Sequence, residues 1–229
     1  MEAFLQMDTT TRGDVMGFKR TAGCFGIGFV VFQVVGFVVG GSPPGAEDPA
    51  SEITKYFADG GNALKVGGVL TALASIFALP FIAGFVLPFF KSDREHGEGY
   101  GWVVFGGFLL TGAAAMVGLS ASFALALRGG AELDAATTRA VWDLSNIAYG
   151  STILFTVAWA GGAAMAIMKR GLMSRWFGIF SGLVALSGFL GIFGLVSAGL
   201  GMVSLIGYAL LLLWVLVAGV VMLRKQTTA

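Results

Sequence analysis

The chain has 229 residues, of which 56% are hydrophobic and only 12% charged, and its formal net charge is +1. Soluble domains carry a charge on about a quarter of their residues, so this composition excludes an ordinary soluble fold and indicates lipid as the solvent for much of the chain. A single cysteine, Cys24, and a single histidine, His96, exclude an intrachain disulfide and a Cys/His zinc site, and the small net charge argues against a nucleic-acid partner.

Six apolar runs are long enough to cross a bilayer, because a helix needs about 20 apolar residues to span the hydrocarbon core. We therefore predict an all-α fold, a polytopic transmembrane bundle of six helices. The predicted spans are 21–40, 64–90, 102–127, 148–168, 176–196 and 202–223. The first span is interpreted as an uncleaved signal anchor, with residues 1–20 and 224–229 in the cytoplasm.

Basic residues are unevenly distributed among the connections between the spans. Ten of the fourteen lie before the first span, between the second and third, between the fourth and fifth, or after the sixth. The other four are Lys55, Lys65, Arg128 and Arg139. Because cytoplasmic loops are enriched in Lys and Arg, we expect a protein of the cytoplasmic membrane with both termini in the cytoplasm. The spans then form three hairpins that turn on the outside, the third of them tightly, near 197–201.

The two long outer turns each contain a predicted short amphipathic helix. In the first, Asp48 is the predicted N-cap and Pro49 the first helical residue, and in the second Asp134 is the predicted N-cap. We expect that the second helix can continue without a break into the fourth span. The predicted apolar faces are Ile53, Tyr56 and Phe57 in the first helix, and Ala140, Val141 and Leu144 in the second.

Small residues recur at helical spacing in three spans, which is typical of close helix packing in membranes. The residues predicted to pack are Gly36, Gly40, Ala158, Gly162, Gly178 and Gly182. The pattern fits packing seams inside the bundle and also a homo-oligomer face, and the first interpretation is favoured. Pro80, in the middle of the second span, is expected to kink its helix.

The interiors of the spans carry no charged residue, which lowers the expectation of an ion-coupled transporter. The main polar cluster is Asp143, Asn146 and Tyr149 at the outer start of the fourth span, with Lys65 expected at the same depth. One interpretation is an outward polar pocket that binds a small ligand or a lipid headgroup. The other, which is favoured, is an ordinary polar helix end in which Asp143 is solvated or paired with Lys65 or Arg139.

Three further residues are singled out by their type. Gln33 in the first span is expected to form a hydrogen bond with a neighbouring helix, with pore lining as a less favoured alternative. His96 is expected to be solvated, and Cys24 to be a small packing residue. No catalytic residue, metal site or cofactor is predicted. The aromatic residues near the ends of the spans, interpreted as an interfacial belt, are Tyr100, Trp102, Trp142, Tyr149 and Trp176.

Three segments carry a resemblance to a known group of proteins: residues 51–59 (SEITKYFAD), 139–146 (RAVWDLSN) and 171–178 (GLMSRWFG). On these segments the chain resembles a family of bacterial, actinobacterial-type six-helix integral membrane proteins of unknown function, over about residues 45–223. The resemblance implies the six-helix fold and gives weight to the start of the fourth span. It implies no activity, cofactor or ligand.

Three classes of function are compatible with these features. The favoured one is a non-enzymatic accessory or interaction bundle that binds another membrane protein or a second copy of itself. The alternative is a small transporter or receptor for an apolar or lipidic small molecule, with a cavity between the second and fourth spans that opens outward. A membrane enzyme is least favoured, because the single histidine lies in a predicted cytoplasmic loop and no carboxylate pair lies within a span.

Overall fold

A computed structural model describes the backbone of residues 2–45, 47–128, 132–193 and 201–224, and the side chains of 17–45, 47–128, 132–193 and 206–224. The helices are α1 (Glu2–Gly40), α2 (Ala50–His96), α3 (Tyr100–Arg128), α4 (Ala135–Arg170), α5 (Arg175–Ile192) and α6 (Gly201–Leu223). All six contain a stretch long and apolar enough to cross a membrane. The predicted all-α fold with six spanning helices is therefore confirmed. The tight turn predicted near 197–201 and the end of the tail fall largely outside the described residues.

The six helices form a ring in which each helix contacts the next and α6 returns to α1. Successive helices run antiparallel: Gly28 of α1 faces Phe77 of α2, whereas Gly36 faces Thr71. The ring has two ends, which we call the basic end and the long-loop end. The basic end carries the turns at 97–99 and 171–174, and the long-loop end carries the connections after α1 and after α3.

Helix α2 combines the first predicted amphipathic helix and the second span in one element. The two parts meet at Gly61, whose backbone angles (φ 45°, ψ −124°) are non-helical and suit glycine. Pro80 lies inside α2 and keeps helical backbone angles, so the kink expected there stays a prediction. The prediction that Asp48 caps this helix is wrong. Pro49 occupies the N-cap position, and the Asp48 carboxylate accepts a hydrogen bond from the backbone N–H of Gly45 at 2.7 Å.

Helix α4 begins as predicted and continues without a break into the fourth span. Asp134 caps it, accepting hydrogen bonds from the backbone N–H groups of Ala136 and Thr137. Of the residues predicted to share an apolar face, Ala140 and Leu144 are exposed and Val141 is half-buried. The residues that α4 buries in this region are Thr138, Trp142 and Ser145. Lipid tolerates exposed apolar side chains, so the most apolar face of the helix is not its inner face. Trp142, which is 5% exposed, also does not belong to an interfacial belt.

The α1–α2 contact is a close crossing of glycines. A side chain at Gly36 would place its Cβ 2.7 Å from the Thr71 hydroxyl, and a side chain at Gly67 would place its Cβ 2.8 Å from the Gly36 carbonyl oxygen and 2.9 Å from the Gly40 backbone nitrogen. Gly36 and Gly40 therefore lie at this contact, and Gly67 is the partner residue that the sequence analysis missed.

The other residues predicted to pack lie around α4. Gly162 is buried against Val103 of α3, and Gly178 of α5 is buried against the end of α4. Gly182 faces Ala164 across the α4–α5 contact, where its Cβ would lie 3.8 Å from that of Ala164. Ala158, by contrast, is exposed. The contact between α3 and α4 thus includes Gly162 but leaves Ala158 on the outer surface.

Aromatic side chains fill the centre of the ring. Trp214 of α6 and Trp159 of α4 are both fully buried, with their rings 4.8 Å apart. Trp159 stacks on Phe108 at 4.3 Å, and Trp214 lies 4.9 Å from Phe85 and 5.3 Å from Phe177. Such tilted and stacked pairs add to the stabilisation from burial.

Candidate functional site

An arginine at the long-loop end joins the connection after α1 to the start of α4. Arg139 lies in the second turn of α4, and its Nε donates to both carboxylate oxygens of Asp143, at 2.9 and 3.0 Å. Its Nη1 also donates to the backbone carbonyl of Asp48, at 2.8 Å. Paired contacts of this kind orient both partners, so Arg139 ties the connection after α1 to the start of α4. Asp143 thus has Arg139 as its partner, one of the two pairings considered from sequence.

An apolar cluster lies beside this ion pair and joins the first part of α2 to α3 and α4. Its buried members are Ile53, Phe57, Leu64, Leu125, Ala126 and Trp142. The rings of Phe57 and Trp142 meet edge to face, with centroids 5.6 Å apart, between α2 and α4. Tyr56 adds a hydrogen bond from its hydroxyl to the Gly40 carbonyl at 2.9 Å. Side chains therefore occupy the space in which an outward cavity was considered.

The remaining residues of the predicted polar cluster are not brought together. Asn146 donates to the carbonyl of Trp142 in its own helix, at 3.0 Å. Tyr149 packs its ring over Gly118 of α3, where a Cβ would approach to 2.9 Å. Lys65 is half-buried and forms no ion pair with any described residue. The structure thus separates Lys65 from Asp143 and uses Asn146 and Tyr149 in local contacts.

Gln33 contacts another helix, as its position in the first span suggested. The hydroxyl of Tyr208 in α6 donates to Gln33 Oε1 at 3.4 Å, which is long for a hydrogen bond of this type. The bond links α1 to α6, the pair of helices that closes the ring. A stronger polar link lies between α3 and α4, where the buried Ser145 hydroxyl bonds to the Gly118 carbonyl at 2.9 Å.

An open groove of about 690 Å³ is present at the long-loop end. Its wall on one side is the connection after α1 and on the other the first part of α2. The residues that line it are Ser42, Pro43, Pro44, Asp48, Glu52, Lys55, Tyr56, Asp59 and Gly60. Three carboxylates against one ammonium give the groove a negative character. The groove was not predictable from sequence, because it forms only where the connection folds back over the helix.

Two carboxylates fasten the basic end, and the sequence analysis missed both. Asp93, in the last turn of α2, is 8% exposed and accepts from the backbone N–H groups of Tyr100 and Gly101, at 3.0 and 2.7 Å. Glu98 accepts from Lys169 Nζ at 2.6 Å and from Arg170 Nε at 2.9 Å. Asp93 thereby caps α3 from the preceding helix, and Glu98 joins the α2–α3 turn to the end of α4.

Hydrogen bonding lowers the pKa of two carboxylates that lie next to helix ends, those of Glu98 and Asp134. The pKa of Glu98 is lowered to about 2, because Arg170 and then Lys169 donate hydrogen bonds to its ionised form. The pKa of Asp134 is lowered by the hydroxyl of Thr137, with smaller effects from the backbone. Both groups are therefore charged at neutral pH, and both act as fixed anchors for helix ends.

A chain of two hydrogen bonds links buried polar groups of α5 and α6 inside the ring. The indole N–H of Trp214 donates to the Ser181 hydroxyl at 2.8 Å, and that hydroxyl donates to the Phe177 carbonyl at 2.9 Å. Ser181 is fully buried, so this chain fixes α6 against α5. A serine whose hydroxyl donates to a carbonyl has no base to activate it as a nucleophile.

The single histidine and the single cysteine lie apart from these groups. His96 is exposed at the end of α2 and its Nδ1 lies 2.9 Å from the Ser92 carbonyl, whereas Cys24 is exposed on α1. Among the described side chains, no three His, Cys, Asp or Glu residues lie close enough together to hold a metal ion. No protein-family model matches the chain, and no curated protein or solved structure matches it.

Proposed function

We propose that this chain is a non-enzymatic accessory bundle of the cytoplasmic membrane, which acts by binding another membrane protein. The observation that carries the proposal is the filled centre of the ring, where Trp159, Trp214 and Phe85 meet. A bundle of this kind offers its outer surface to partners and has a rigid interior. The resemblance to a six-helix family of unknown function is compatible with this role and adds no activity.

The fastening of both ends supports the same role. Arg139 ties the connections at the long-loop end, and Glu98 ties those at the basic end. A transporter that alternates its access needs at least one end to open during the cycle. Here opening would break the hydrogen bond from Arg139 to the Asp48 carbonyl at one end, or the ion network of Glu98 with Lys169 and Arg170 at the other, so the bundle is better suited to a fixed scaffold.

The proposal is tested by isolating the tagged full chain directly into native nanodiscs and weighing the complex by mass photometry. We expect a second membrane protein in a fixed ratio to the chain that survives a wash in high salt, because its contacts would be apolar. A tagged six-helix protein of the same host, expressed at the same level, is the control. Recovery of the isolated chain alone, or of the same companions with the control, contradicts the proposal.

A second candidate function is a receptor for an organic cation with an apolar body. The groove at the long-loop end favours this function. Asp48, Glu52 and Asp59 line this groove beside the ring of Tyr56, and a ring next to carboxylates suits a cationic ligand. Fluorescence titration with dansylcadaverine in nanodiscs would test it. Saturable binding that Glu52→Gln weakens and Glu132→Gln leaves unchanged supports this function, and binding that neither variant changes excludes it.

A further inference from the structure

The last turns of α2 form an open depression of about 390 Å³ where the apolar part of the helix meets the basic end. The residues that line it are Leu87, Phe90, Lys91, Arg94 and Glu95. Their spacing places all five on one face of the helix. From Leu87 to Arg94 the helix rises about 10 Å, so the depression extends from acyl-chain depth to headgroup depth.

The cations of this depression are poorly neutralised. The side chain of Lys91 is 80% exposed, and its carboxylate partner Glu95 lies at 3.9 Å and is 55% exposed. Exposed pairs at such a distance contribute little. Arg94 is exposed and has no ion pair with any described side chain. Lys91, which is weakly paired, and Arg94 thus form a site for an anion.

The other half of the depression is apolar and aromatic. Leu87 is 44% exposed, and Phe90 is half-buried with its ring 4.9 Å from that of Trp102, edge to face. Trp102, in the first turn of α3, is itself 68% exposed. These side chains form a continuous apolar surface next to the cations, at the depth where tryptophan favours the interface.

We propose that this depression binds one anionic phospholipid of the surrounding bilayer. Its phosphate is held between Lys91 and Arg94, and its acyl chains lie along Leu87, Phe90 and Trp102. A lipid fits better than an acidic protein segment, because only a lipid presents an anion directly above apolar chains at this depth. The inference does not depend on the accessory role, since a transporter or receptor could bind the same lipid.

Neutralising Glu95 should change lipid binding in the opposite direction to neutralising Lys91 and Arg94. Its carboxylate lies at 3.9 Å from Lys91 and competes with a lipid phosphate for that ammonium. Neutralising Glu95 should therefore tighten lipid binding, whereas neutralising Lys91 and Arg94 should weaken it. A merely structural role for these exposed residues predicts neither change.

Native mass spectrometry of the full chain in detergent can count bound lipids during titration with phosphatidylglycerol or with phosphatidylcholine of the same acyl chains. We expect tighter binding of the first phosphatidylglycerol. The Lys91→Gln/Arg94→Gln double variant should weaken that binding by about tenfold or more, because each basic residue near the membrane surface contributes about fivefold. Glu95→Gln should strengthen it. The matched control is Lys55→Gln/Lys65→Gln, which removes the same charge from the other end of α2 and should leave the binding unchanged.

Three results would overturn the proposal. The first is equal binding of the two lipids, and the second is an equal loss in the control double variant, which would indicate attraction by net charge alone. The third comes from thiol labelling of a Leu87→Cys variant in a Cys24→Ala background. If a soluble poly-glutamate peptide protects this cysteine from the label and phosphatidylglycerol does not, the occupant is an acidic protein. The melting temperature of each variant without added lipid shows that the fold is retained.

Discussion

At the scale of single residues, Asp93 accepts hydrogen bonds from two backbone N–H groups at the start of α3. We expect Asp93→Ala to destabilise the protein by about 1 kcal/mol, the usual effect of losing a helix cap. The free energy of unfolding in detergent, from denaturant titration followed by tryptophan fluorescence, measures the change. Glu95→Ala, which removes a neighbouring carboxylate whose ion pair is long and exposed, is the control and should change stability by much less.

Glu98 should make stability depend on pH within a defined acid range. Its pKa is lowered to about 2 in the folded protein, from an ordinary 4.5. A lowered pKa means that the stabilisation is fully present above about pH 4.5 and is lost as the pH falls towards 2. Glu98→Gln should remove this dependence, so wild type and variant should differ most at neutral pH and converge in acid. Parallel stability curves across that range would contradict this assignment.

The residues whose role could be predicted from sequence are those whose partners are near in the chain. The cap at Asp134 was predicted correctly, because the backbone N–H groups that donate to it, those of Ala136 and Thr137, follow within three residues. Asp93 also caps a helix, but its partners Tyr100 and Gly101 lie across a turn, beyond the range of any capping pattern. Arg139 and the Asp48 carbonyl are 91 residues apart, so only the folded chain brings them together.

At the scale of elements, the membrane removes the signal that identifies inner faces in soluble proteins. A soluble helix exposes its polar face, so its apolar face indicates the core. In α4 both faces are largely apolar, and Ala140 and Leu144 lie outside whereas Thr138 and Ser145 are buried. Existence and approximate length of the helices were predictable from hydropathy. Their inner faces were not, because packing in lipid selects shape and small residues over hydrophobicity.

The crossing of α1 and α6 gives a prediction about packing between elements. A Cβ at Gly23 would lie 2.7 Å from the backbone carbonyl oxygen of Gly219, which cannot move independently of its helix. Gly23→Ala should therefore lower stability by about 1–3 kcal/mol through overpacking.

Gly112→Ala is the matched control, because no atom lies within 4 Å of a Cβ at that position of α3. This substitution should leave stability unchanged or raise it slightly, since alanine favours helix over glycine. Melting temperatures of the two variants in one detergent give the comparison. If Gly23→Ala melts at or above the temperature of Gly112→Ala, the close approach of α1 to α6 is not required.

At the scale of the whole molecule, the number of helices was predictable because a bilayer permits little else. Backbone groups in lipid must be satisfied within each span, so six long apolar runs become six helices. The closure of the ring was not predictable, because it depends on Gly23 meeting Gly219 across nearly the whole chain. The Arg139 link and the groove beside it likewise follow from how the connections fold, and not from their composition.

We predict the orientation of the bundle in the membrane from the distribution of charge. Because the ring has two distinct ends, labelling one position at each end tests this prediction. Ser42 lies at the long-loop end and His96 at the basic end, and both side chains are exposed. In a Cys24→Ala background, Ser42→Cys should react with a membrane-impermeant maleimide added to intact protoplasts, because the positive-inside rule places that end outside. His96→Cys should react only after the membrane is permeabilised. Because α1 to α6 run alternately up and down, these two sites fix the side of every connection. The opposite labelling pattern would place the basic end outside. The excess of lysine and arginine at that end would then not set the orientation in the membrane, and binding would have to account for it.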